Sequence, residues 1–64
     1  MWTVIHIVPN EKKAKIIQDK LMAEGFLVKI TPVSKRDENS YYEILVPGGE
    51  VEEAHSILVE NDYL

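Results

Sequence analysis

The sequence predicts an α+β domain with three strands and two helices in the order β-α-β-β-α. Three observations support this. Runs rich in β-branched and aromatic residues stand at 2–8, 26–33 and 41–46. Two further segments, one after the first run and one after the third, carry apolar residues at helical spacing. Turn-forming residues (Pro9-Asn10, Gly25 and Pro47-Gly48-Gly49) fall at the boundaries.

The first strand is Trp2 to Val8, closed by Pro9. Asn10 then stands as an N-cap before EKKAKIIQDKLMAE, and Gly25 follows as a C-cap. At 100° per residue, Ala14, Ile17 and Leu21 share one narrow arc with Met22 on its flank, so this helix turns one face to a core. Phe26 to Val33 reads as the second strand and Ser34 to Ser40 as a polar loop. Tyr41 to Val46 reads as the third strand. From Glu50 to about Asn61, Val51, Ala54 and Leu58 share the inner face of a second helix. A right-handed crossover sets the first two strands parallel. The third fits between them, giving sheet order 1-3-2 with both helices on one face. This is the split β-α-β arrangement of ferredoxin-like domains, without a final strand.

Alternation along each strand sorts the two faces of the sheet. Thr3, Ile5, Ile7, Val28, Ile30, Tyr42, Ile44 and Val46 form the more uniformly apolar set, which belongs against the helices. Two helices cannot cover both sides. The open face then holds Trp2, Val4, His6, Leu27, Lys29, Thr31, Tyr41, Glu43 and Leu45, with Trp2 and Tyr41 as large apolar groups. An exposed patch of this kind marks a contact surface.

Composition narrows the function classes. A chain of 64 residues makes one domain with a marginal core, and such domains are usually held by disulfides, a metal or a partner chain. There are no cysteines, which raises the weight of a partner and is compatible with a reducing cytosol. The net charge of -4, from 11 acidic and 7 basic residues, argues against a nucleic-acid partner. No apolar run approaches the roughly 20 residues of a membrane span, and the N-terminus lacks the features of a signal peptide. A cytoplasmic protein is expected.

The MWTVIHIVPN start, GFLVKITPV, YYEILVP and EEAHSIL carry a resemblance over nearly the whole chain. It resembles the small bacterial domains of unknown function labelled signal-transducing proteins. That resemblance implies a ferredoxin-like domain loosely comparable to PII-type nitrogen-signalling proteins, and no catalytic residues to transfer. Some similar sequences bear a glutamate decarboxylase label. Pyridoxal-phosphate chemistry needs a Schiff-base lysine in a large cofactor pocket, which 64 residues cannot build.

Other motifs point away from chemistry. Strand, Pro47-Gly48-Gly49 and helix resemble a phosphate-binding layout, but Glu50, Glu52 and Glu53 occupy that helix end and no lysine stands near. The glycines are expected to form a turn. His6 and His55 are the only histidines, too few for a metal site, which wants three or four convergent ligands. His55, on the flank of the second helix's apolar face, is expected to pack there with one hydrogen bond. His6 neighbours Glu43 across the open face, as a simple cross-strand pair or a proton switch. Trp2 and Tyr41 suit a stacking platform, but only Lys29 lends the face positive charge, so a dimer contact is favoured. The Ser34 to Ser40 loop matches in position the loop PII-type proteins use on their targets, although a solvated hairpin is the ordinary reading. Residues 50–62 hold five acids and no lysine or arginine. They suit a solvated surface or a basic partner.

The expectation is therefore a non-enzymatic regulatory or protein-interaction module with no cofactor and no metal, forming a homodimer through its sheet. The unprotected edge of the first strand lies beside Trp2, Val4 and His6. The alternative within one chain is that Tyr63 and Leu64 fold back over that surface. The alternative function is a metabolite-sensing domain, its ligand bound on the open face or the 34–40 loop.

Overall fold

β1 (Trp2–Val8), α1 (Glu11–Ala23), β2 (Lys29–Pro32), β3 (Tyr42–Pro47) and α2 (Val51–Glu60) follow one another, with a 3-10 turn over Gly48–Glu50 before α2. The computed structural model describes residues 1–36 and 40–64. β3 lies in the centre of the sheet, antiparallel to both neighbours, so the order is β1-β3-β2 and β1 runs parallel to β2. The expected α+β fold is formed, and its split β-α-β arrangement is compatible with a ferredoxin-like domain.

Both helices cover the same face. Ala14, Ile17 and Leu21 of α1 and Ala54 and Leu58 of α2 join Val8, Ile44 and Val46 in one buried cluster. Ile44 and Val46 point the same way from β3 by strand alternation. Ile5, Phe26, Val28, Ile30, Tyr42 and Tyr63 close around them. The apolar stripes of the two helices converge on that side because nothing else in the chain can bury them.

The β1–β3 ladder is irregular at one point. Val4 pairs with Leu45, but the next paired residue is His6, opposite Ile44. Ile5 and His6 therefore share one partner, as in a β-bulge. Beyond the bulge the alternation of β1 is reversed. Ile7 pairs with Glu43 on the open face, and Val8 pairs with Tyr42 on the helix side. Simple alternation puts His6 outward and Ile7 inward, and the extra residue exchanges them. Val8, 4% exposed, gains the core position that Ile7 loses.

β2 is shorter than its apolar run. Phe26 is held by the preceding helix cap instead of the sheet. Its N–H donates to Leu21 O at 3.1 Å, while Gly25 N–H donates to Met22 O at 3.0 Å. That pair of bonds is a Schellman motif, with Gly25 at φ 95 as the left-handed residue. The β2–β3 ladder ends at Lys29 and Leu45, while β3 continues to Pro47 against Trp2 of β1.

α2 ends in the same way. Asp62 N–H donates to Val59 O at 3.2 Å and Tyr63 N–H to Leu58 O at 2.9 Å. Here the left-handed position is filled by Asp62, at φ 59, a conformation that glycine takes without cost and aspartate does not. At the start of α1, Asn10 is extended and its Oδ1 accepts from Lys13 N–H at 2.9 Å, the expected N-cap.

The two Schellman positions should respond in opposite senses to substitution. A Cβ at Gly25 meets nothing within 4 Å, so Gly25→Ala should cost about 1–2 kcal/mol through backbone strain alone. Asp62→Gly relieves the same strain and should raise stability by roughly 0.5–1 kcal/mol, net of the freer unfolded chain. Urea midpoints of the two variants against wild type measure both. A lowered midpoint for Asp62→Gly would refute the strain assignment.

Candidate functional site

The open face of the sheet is built in cross-strand rows. Val4, Leu45 and Lys29 form one row, and Ile7, Glu43 and Thr31 the next. Trp2 lies beside Pro47 at one end. At the other, Val33 N–H donates to Tyr41 O at 2.8 Å and extends the pairing by one step. Trp2, Val4, Ile7, Leu27, Val33 and Tyr41 are all substantially exposed, from 42% at Val4 to 66% at Leu27. Replacing His6 by Ile7 makes this face more apolar than simple alternation implies.

Charge on the face is sparse and placed. The Lys29 ammonium lies 5.8 Å from the centre of the Trp2 ring. Lys29 is on β2 and Trp2 on β1, so the lysine stem drapes across the central strand, where it shields Leu45. Glu43 sits in the next row between Ile7 and Thr31. The expected His6–Glu43 pair is not formed, because the bulge takes His6 to the opposite side.

Of the nine residues expected on this face, Trp2, Val4, Leu27, Lys29, Thr31, Tyr41, Glu43 and Leu45 agree with the ladder register and strand alternation. His6 does not. Ile7 and Val33 belong to the face and were not foreseen. A reversed register after Ile5 is the signal for Ile7, and the Tyr41–Val33 bond is the signal for Val33.

His6 instead lines a cleft on the helix side with Lys13, Ile16, Ile17, Asp62 and Tyr63, beside Val8 and Pro9. Its volume is about 370 Å³. Tyr63 docks here, under the α1 N-terminal half, so the C-terminus does not cover the open face. Leu64 remains 52% exposed. His55 is also exposed on α2 and is not packed as expected.

The Pro47-Gly48-Gly49 segment holds the chain start. Gly48 N–H donates to Met1 O at 2.7 Å, and a Cβ at Gly48 would lie 3.4 Å from Thr3 Oγ1. That N–H is occupied, and Glu50 follows with one carboxylate oxygen, Oε2, buried without a hydrogen-bond partner among the described residues. The positive end of α2 is the favourable field for that oxygen. A phosphate has no place there.

The Ser34 to Ser40 loop is anchored at its base. Ser34 N–H donates to Ser40 Oγ at 2.8 Å, and the same hydroxyl donates to Tyr41 O at 3.0 Å. The expectation of a target-contacting loop falls in part on residues 37–39, outside the described residues. Among the described residues no group of three or more His, Cys, Asp or Glu is placed to hold a metal, and no helix is long and apolar enough to cross a membrane. No protein-family model, curated protein or solved structure matches the chain.

One titration is tied to this geometry. Partial burial, reinforced by the facing Glu11 carboxylate, pushes the Tyr42 hydroxyl above its ordinary value of 10.0. The protonated phenol is thus favoured in the folded state. Its contribution is complete below pH 10.0 and is lost as pH rises through the higher folded value. Chemical denaturation across the alkaline range should show wild type losing stability more steeply than Tyr42→Phe. Parallel pH profiles for the two proteins would overturn the assignment.

Proposed function

We propose that the protein is a small non-enzymatic regulatory or protein-interaction module that self-associates through the open face of its sheet. The observation that carries this reading is the apolar face itself, with Trp2, Val4, Ile7, Leu27, Val33 and Tyr41 in one continuous surface. The resemblance to small bacterial signal-transducing domains points the same way.

Size and charge favour a second copy as the occupant. Strands of seven, six and four residues, rising about 3.3 Å per residue and about 4.8 Å apart, present roughly 270 Å² in projection. Two such faces pressed together, with the relief of their side chains, stay below the ~1,200 Å² of standard specific interfaces, in the range of weak, transient contacts. A two-fold axis makes each patch meet its own copy. Lys29 of one protomer can then meet Glu43 of its partner, since the two residues stand in adjacent rows of the same face. The expected product is a weak, reversible dimer, with Trp2 at its margin.

Sedimentation equilibrium tests this. Wild type should dimerise in the micromolar range, and Val4→Lys or Ile7→Lys should weaken the dimer at least about tenfold by burying an unpaired charge. His6→Lys, on the other side of the sheet, should leave the dimer unchanged. A wild type that stays monomeric at high micromolar concentration refutes self-association. A dimer that survives Val4→Lys and Ile7→Lys places the interface elsewhere.

A further inference from the structure

The cleft on the helix side belongs to neither the core nor the open face. Three elements meet in it: the end of β1, the first turns of α1, and the chain just after α2. Its floor is apolar, with Ile17 and Val8 buried and Ile16 half-exposed along the wall. Around that floor stand one ammonium (Lys13), one imidazole (His6), one carboxylate (Asp62) and the Tyr63 ring. Lys13 and Asp62 line the same cleft without closing an ion pair on each other within 4.0 Å.

Asp62 is an unfavourable residue for its own position. It takes the left-handed conformation at φ 59 that Gly25 occupies after α1. It also adds negative charge to the C-terminal end of α2, where the helix field already repels an anion. No basic residue lies in the last turn of α2 to offset it. A cation seated beside Asp62 relieves this second cost. Lys13 is the mirror case, a cation in the first turns of α1 that gains from a nearby anion.

From this we infer that the cleft is a binding site for a small zwitterion with an apolar side chain, in the chemical class of free α-amino acids. The ligand's carboxylate is set toward Lys13 and His6, its ammonium toward Asp62, and its side chain against Ile16, Ile17 and Tyr63. The volume of about 370 Å³ holds about a dozen waters at ~30 Å³ each, room for a ligand of about ten non-hydrogen atoms. A site this small and open implies a dissociation constant of about 1 mM. The inference does not depend on sheet-face self-association, since His6 and Val8 face away from that surface. Ile7, at the sheet edge, borders both regions.

Amide NMR spectra of the labelled protein, titrated with L-leucine and L-phenylalanine, test it. At least one probe should produce saturable shifts concentrated at Val8, Lys13, Asp62 and Tyr63. N-acetyl-leucine lacks the ammonium and leucinamide lacks the carboxylate, so each should bind at least about tenfold more weakly than leucine. Asp62→Asn retains tolerance of the left-handed conformation. It should weaken leucine and leucinamide while sparing N-acetyl-leucine, and Lys13→Gln should weaken leucine and N-acetyl-leucine while sparing leucinamide. The blocked ligands probe both charges on wild-type protein, so the test stands even if a variant fails to fold. Shifts absent up to about 20 mM, well above the expected constant, would overturn the inference. So would shifts mapping to the open face, or equal affinity for the blocked forms.

Discussion

Ile5 and His6 share a single partner on β3, and much of the rest depends on that one extra residue. Sheet pairing has a period of two, so a single insertion exchanges the sides of every residue beyond it. Val8 enters the core beside Ile17, Ile7 turns to the open face, and His6 is carried to the mouth of the cleft. With regular pairing Ile7 would stand opposite Tyr42, where Val8 now stands, His6 would face outward opposite Glu43, and Val8 would turn away from the core. The apolar surface and the polar cleft thus arise from the same local irregularity.

The second constraint is that two helices cover only one side of a three-stranded sheet. Their apolar stripes meet in a single cluster, with Leu21, Ile44, Val46 and Leu58 fully enclosed. The helix ends are fastened alike. After each helix a left-handed residue turns the chain, and the next aromatic residue, Phe26 or Tyr63, is folded back toward the core. The cost differs, because glycine serves the first turn and aspartate the second.

Much of this was legible in the residues. The β-branched runs located all three strands, Asn10 and Gly25 marked the ends of α1, and the right-handed crossover with the third strand returning between the first two gave the sheet order. β2 was read too long because Phe26 to Val28 are as apolar as strand residues. Phe26 closes the helix cap and lines the core with Val28, while Leu27 lies exposed on the open face, distinctions that hydrophobicity alone does not make. The bulge left no mark, since Trp2 to Val8 contains no glycine and its residues on both faces are largely apolar. The cleft was invisible for another reason. Asp62 is far from His6 and Lys13 in the chain, and only tertiary packing brings the three together.

The two edges of the sheet are unlike. β1 offers seven residues with neither proline nor a formally charged side chain, whereas β2 is four residues long and contains Lys29 and Pro32. Pairing along a sheet can propagate into fibrils only when every added copy presents a fresh receptive edge. β2 presents a poor one, so an edge-to-edge encounter between two β1 strands leaves a β2 at both outer margins. Growth ends there, and the short proline-bearing strand acts as a built-in chain terminator against amyloid-like polymerisation.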